Sequence, residues 1–212
     1  MKSGLLILIA VLGIAIVAVL VRQRQEEDSP LGKTGLADDP GELRVLGTLP
    51  DFSFTNHAGQ PYGKQELAGK SWIANFVFTR CPATCPVQTM MMGQLQQKLS
   101  ALPAWRDIRL VSFSVDPEHD TVDVLRDYAG QAGAHEGHWN FLTAPRADIW
   151  ELSQKGFKLG VGEAPPDASS PLFHSPRMVL VDGQGRIRGY FDGMSAEGND
   201  EVLAAIQRLL GE

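Results

Sequence analysis

Residues 71–78 read SWIANFVF, and Thr79-Arg80 then leads into Cys81-Pro82-Ala83-Thr84-Cys85-Pro86, which holds the only two cysteines of the chain. A near-continuous apolar run of this length is the pattern of a strand buried on both faces, as in parallel sheets covered by helices. Beyond the cysteines, Val87, Met91, Leu95, Leu99 and Leu102 recur at three-to-four spacing, which describes a helix with one apolar face. The chain is therefore built around a strand, a cysteine loop and a helix. Pro82 and Pro86 are tolerated in a first helical turn, where a missing N–H costs nothing. Cys81 and Cys85, four apart, then lie about one turn from each other. A helix N-terminus at this place favours thiolate, and Arg80 adds a positive charge beside it.

The remaining elements extend the same architecture. Phe52 and Phe54, followed by the Asn56-His57-Ala58-Gly59 turn and Tyr62, predict a hairpin ahead of the first central strand. Ile108 to Val115 alternates like a second strand and stops at Asp116-Pro117. Asp120 or Thr121 caps a helix carrying Val122, Leu125, Ala129 and Ala132 on its apolar face. In this reading Asp116 ends a strand and Asp120 caps a helix, rather than serving as general acids. A short strand over Trp139–Leu142, a helix over Arg146–Lys155 and a long loop over Gly160–Pro171 follow. Arg177–Val181 and Ile187–Phe191 flank an Asp182-Gly183-Gln184-Gly185 turn, and Val202, Leu203, Ile206, Leu209 and Leu210 close the chain as a helix. The order predicts an α/β thioredoxin-like fold, a central mixed sheet flanked by helices, whose site lies at the carboxyl ends of the strands.

At the N-terminus, Gly4 to Val21 is an uninterrupted uncharged apolar run between Lys2 and Arg22. As a helix it rises roughly 27 Å, enough to cross a bilayer. No Ala-x-Ala cleavage pattern and no lipidation cysteine follows it, so residues 1–22 read as an uncleaved membrane anchor. Residues 23–42, polar with Pro30, Pro40 and several glycines, read as a flexible tether, leaving residues 43–212 as the folded domain. A short N-terminal tail usually stays inside, which puts the domain on the outer face of a bacterial inner membrane, in the periplasm. A net charge of −6 and a pI near 5.4 exclude nucleic acid as the main partner, since no basic stripe neutralises phosphates.

Two thiols and a histidine allow two kinds of chemistry. Soft thiolates select copper(I) and imidazole suits copper(II) as well, so Cys81, Cys85 and His174 compose a three-coordinate copper site with an open face. A closed structural zinc site lacks a fourth ligand. The same cysteines can perform thiol–disulfide exchange, with Cys81 the more exposed nucleophile. A peroxidase reading fails on spacing, because neither Thr79 nor Thr84 lies three before a cysteine. His57, His119, His135 and His138 read as surface or core histidines; Met91 falls on the core face of its helix, so Met90 to Met92 read as packing rather than copper thioethers.

Phe78-Thr79-Arg80-Cys81-Pro82-Ala83-Thr84-Cys85-Pro86, Ser114-Val115-Asp116-Pro117-Glu118-His119-Asp120-Thr121 and Phe173-His174-Ser175, in that order over about Leu43 to Leu210, resemble the Sco/SenC family. The resemblance implies a membrane-tethered, thioredoxin-like metallochaperone delivering copper to the binuclear copper centre of cytochrome c oxidase during assembly. It implies Cys81, Cys85 and His174 as metal ligands and the copper-binding oxidase subunit as partner. The alternative is an oxidoreductase that uses Cys81 and Cys85 to reduce that subunit's cysteines. One position departs: where the family often has Asp before the histidine, this chain has Phe173. Pro176 resembles the cis-proline facing the cysteines of thioredoxins, which predicts a cis Ser175–Pro176 bond.

Overall fold

The computed structural model describes residues 43–82 and 84–211. The anchor and tether predicted for residues 1–42 lie outside the described residues, and among those described no helix is long and apolar enough to cross a membrane.

Strands β1 (Gly47–Thr48), β2 (Ser53–Asn56) and β3 (Pro61–Gly63) precede the central strand β4 (Ser71–Val77), which is buried from Trp72 onward. The turn between β2 and β3 is held by Asn56, whose Oδ1 accepts from the backbone N–H groups of Ala58 and Gln60, while Gly59 supplies the positive φ of 79°. Helix α1 (Thr84–Ser100) leads to β5 (Ile108–Ser114), α2 (Val122–Gln131), β6 (Trp139–Thr143) and α3 (Arg146–Glu151). A π-turn over Leu152–Gly156 prolongs α3. Then come β7 (Val161–Glu163), β8 (Leu172–His174), β9 (Arg177–Val181), β10 (Arg186–Asp192) and α4 (Ala196–Leu209).

The main sheet has the order β1-β10-β9-β4-β5-β6-β2-β3, parallel across β4, β5 and β6 and antiparallel at β9 and β10. This is the mixed, thioredoxin-like arrangement the sequence predicts. On one face its core joins Phe76 stacked on Phe113, with Phe157 edge-on to Phe76 and to Trp72; on the other, Trp139 stacks on Phe141. Helix α1 buries Cys85, Gln88, Met92, Leu95 and Leu99 at three-to-four spacing, so the stripe starts at the cysteine itself and Val87 is only half-buried.

Three expectations change. Gly160–Pro171 is not all loop: β7 pairs antiparallel with β8, joining Val161 to His174 and Glu163 to Leu172. Every described peptide bond is trans, Ser175–Pro176 included; trans is the lower-energy form even before proline, by about 0.5–1 kcal/mol. Thr121 alone caps α2, its Oγ1 accepting from the Val124 N–H, whereas Asp120 is turned inward and wholly buried.

Candidate metal centre

Strand β4 ends at Val77, and the chain then turns so that the Cys81 N–H donates to the Phe78 carbonyl before α1 begins at Thr84. Cys81 and Cys85 sit in this turn and the first turn of α1, 8% and 1% exposed, and no disulfide joins them. Because β9 runs antiparallel to β4, the segment entering β9 arrives at the carboxyl end of β4. That segment carries His174. Its Nε2 lies 3.1 Å from Cys85 Sγ, across 89 positions of sequence.

The ring is held from behind. His174 Nδ1 is 3.0 Å from the Ser175 carbonyl, which can only accept, so Nδ1 bears the proton and Nε2 turns a lone pair toward the sulfur. Phe78 meets the imidazole edge-on, with ring centroids 5.8 Å apart. Burial pushes the His174 pKa down, against a smaller opposing effect of the Ser175 hydrogen bond, so the ring is neutral near pH 7.

The thiol side departs from expectation. Burial pushes the Cys85 pKa up to about 12, with the hydrogen bond to Cys81 adding to the rise and the Phe78 backbone opposing it. The helix N-terminus does not make Cys85 a thiolate, because desolvation outweighs it. Nor does Arg80 serve the sulfur directly: its Nε donates to Asp116 Oδ2 at 2.6 Å, and half of its side chain is exposed.

Cys85 and His174 therefore converge as soft-thiol and imidazole donors, a set suited to copper. Cys81 lies within reach of Cys85, and its Sγ is 3.8 Å from Thr84 Oγ1. No group of three or more His, Cys, Asp or Glu residues is gathered to hold a metal ion among the described residues; the close pair is Cys85 and His174. The other histidines are elsewhere. His57 Nδ1 accepts from the Phe141 N–H, and His138 stacks on Trp105 at 3.9 Å, with His135 edge-on to the same ring. Met91 is buried, its carbonyl accepting from Asn199 Nδ2, and Met90 is exposed.

Sequence reasoning missed a buried frame around the loop. Asp120 accepts from Thr79 N–H, Thr79 Oγ1 and Ser114 Oγ, and Ser114 Oγ in turn accepts from the Asp116 N–H. Burial raises the Asp120 pKa against these hydrogen bonds. Arg146 reaches Asp116 at 3.6 Å and Glu118, packed over the Trp150 ring. The only signal in sequence was the Asp116-Pro117-Glu118-His119-Asp120-Thr121 string itself, whose short acids look like turn and cap residues.

Comparison with known proteins adds the lineage. The SCO1/SenC family model matches residues 44–211. The SCO1 protein homolog of Bacillus subtilis (strain 168) is 32% identical over 157 residues, covering 74% of this chain and 79% of that one. A SCO1/SenC family lipoprotein from Bacillus anthracis str. Ames has a solved structure with TM-score 0.71 and 31% identity, covering 78% of this chain and 96% of that one. BsSco, described as a member of the Sco family of cytochrome c oxidase assembly proteins with a disulfide switch, has TM-score 0.66 and 30% identity. There the match covers 76% of this chain and 92% of that one.

Proposed function

The chain belongs to the SCO1/SenC family, and from that premise we propose that it is a copper-binding assembly factor. It carries copper as cargo on Cys81, Cys85 and His174 and delivers it to the binuclear copper centre of cytochrome c oxidase. The observation that carries the proposal is the 3.1 Å approach of Cys85 Sγ to His174 Nε2, with the imidazole tautomer set by Ser175. Soft sulfur and neutral imidazole are the donors copper prefers. The role in oxidase assembly is what the BsSco description states of that protein, carried here by the family. The apolar run of residues 4–21 would anchor the domain to the inner membrane and residues 23–42 would tether it on the periplasmic side.

Two thiolates and one imidazole leave an open face. An acceptor ligand can therefore attach before a donor here leaves, and a buried thiol with a raised pKa takes its proton back readily once the cargo has gone.

The test is copper stoichiometry and affinity of the reduced protein beside Cys81→Ala, Cys85→Ala and His174→Ala. One copper per chain is expected, and each change should weaken it by more than the ten- to hundredfold (roughly) that loss of an outer partner costs. A second reading, reduction of the acceptor's cysteines, is favoured by one observation: the two thiols are unbridged and interact with each other. If copper affinity ignores His174 while the cysteines reduce a disulfide substrate, that reading replaces the first.

A further inference from the structure

Gln88 sits in the first part of α1, one turn after Cys85, and is wholly buried. Among the described residues it is the one side chain whose two amide atoms, Nε2 and Oε1, are both buried with no hydrogen-bond partner. Burying a primary amide without partners is costly, and native structures leave very few such groups, so the position calls for a physical reason. Packing supplies none: a leucine or methionine would fill the same core stripe between Cys85 and Met92 at no polar cost.

The surroundings supply one. Residues at i and i+3 on a helix have Cβ atoms about 5–6 Å apart, so Gln88 neighbours Cys85 on the buried face of α1. On its other side it packs under the segment that follows His174. The Gly193 N–H donates to the Pro176 carbonyl, and a Cβ at Gly193 would stand 3.1 Å from Gln88 Nε2. Gln88 thus neighbours Cys85 along α1, while its amide nitrogen faces Gly193, which is bonded to the backbone two residues after His174; a turn of the side chain about its own bonds is what would bring the N–H to the sulfur.

Resting on the copper reading above, we propose that Gln88 is a positioning residue of the copper site: its amide N–H is the hydrogen-bond donor to the Cys85 sulfur when that sulfur binds copper. Binding breaks the Cys85 S–H bond, forms a sulfur–copper bond and releases the proton to solvent. The thiol has little need of a donor, whereas the thiolate is a strong acceptor in a buried setting. Hydrogen bonding around a metal-bound cysteine sulfur tunes the potential of the ion and orients the ligand. The unsatisfied amide costs stability in the thiol form so that the loaded form is satisfied.

The sign of the effect is what separates this role from a structural one. In the full-length chain, Gln88→Leu should leave the thermal midpoint of the copper-free protein unchanged or raise it. The same change should weaken copper(I) affinity by about tenfold, the scale of an outer-partner loss. In the copper(II) form the sulfur-to-copper charge-transfer band should move, because a donor to the sulfur has been removed. Gln88→Met, which keeps the length and loses the N–H, should behave like Gln88→Leu in the band and the affinity. Affinity within twofold of the original protein with an unmoved band overturns the proposal. So does a weakened affinity with an unmoved band in a protein whose copper-free midpoint has fallen, since that is a packing defect. Should the unaltered protein fail to bind copper through Cys85, the functional reading falls first and takes this one with it.

Discussion

His174 and Cys85 set the pH range in which the site is intact. The folded His174 pKa lies below its ordinary 6.5, so the unfolded chain takes up a proton that the folded one refuses, and stability falls as pH drops through that range. His57 and His138, also lowered by burial, share this acid limb. Cys85 works at the other end. Its thiol ionises at about 12 when folded, against an ordinary 9.0, so stability is complete below pH 9 and is lost as pH rises toward 12. Denaturant midpoints should therefore be flat between about pH 7 and 8, and Cys85→Ser should shrink the decline between about pH 9 and 10, leaving the part that buried Tyr62, Tyr128 and Tyr190 contribute as pH nears their ordinary 10.0. An undiminished decline in Cys85→Ser would assign it to another group. The position of both residues was legible in the sequence, His174 through its Phe-His-Ser context following the CPATCP motif. The protonation of Cys85 was not. A helix N-terminus argues for thiolate, and only the depth of burial, which spacing does not reveal, decides that the thiol wins.

The β5–α2 connection holds the cysteine loop at the scale of elements. Asp120, itself bonded by Ser114, fastens Thr79, and Asp116 fastens Arg80, so the two residues that precede Cys81 are fixed beyond the end of β4. Replacing Asp120 with alanine leaves the Thr79 N–H and the Thr79 and Ser114 hydroxyls without their acceptor. Thr79 is half-buried and regains some water, which holds the expected loss to about 2–4 kcal/mol in urea unfolding. Asp120→Asn, retaining an acceptor oxygen, should lose about half as much. Equal stability of the alanine variant would show that the frame is dispensable. Strand, cysteine loop and helix were readable because each is long enough to show a period. The β7–β8 hairpin was not: each strand has three residues, Gly160, Gly162 and the prolines of 165, 166 and 171 read as loop, and the pairing that orders them is visible only in three dimensions. The same hairpin explains Phe173. Its ring lies across Gly162, on the strand face opposite Leu172 and His174, so the missing acid at this position faces solvent rather than the cysteine.

Across the whole described domain, the strand order that brings His174 to the cysteines depends on β10 and β9 lying beside β4, and the start of the domain is pinned onto β10. Arg188, 1% exposed, donates through Nε to the Leu43 carbonyl at 3.1 Å and through Nη1 to Asp182 Oδ2 at 3.0 Å. The change in composition near Leu43 is what suggests a domain start there, whereas the Arg188 bond to the Leu43 carbonyl was not legible, since an arginine in the alternating Arg186–Asp192 strand reads as an outward residue. We expect a chain trimmed to begin at residue 41 to keep the unfolding midpoint of the full protein. Trimming through Leu49 removes β1, the buried Leu43 and Leu49, and an acceptor of the Arg188 guanidinium, and should cost at least as much as Arg188→Met. For Arg188→Met the loss should be about 3 kcal/mol rather than the 5 that breaking a buried ion pair can reach, because Asp182 keeps Arg186 at 2.6 Å. The decisive comparison is the double change: if Arg188→Met costs as much in the chain trimmed through Leu49 as in the full one, the guanidinium acts through Asp182 alone. If its cost shrinks, the clamp on Leu43 is what joins the first residues of the domain to the sheet that positions the histidine.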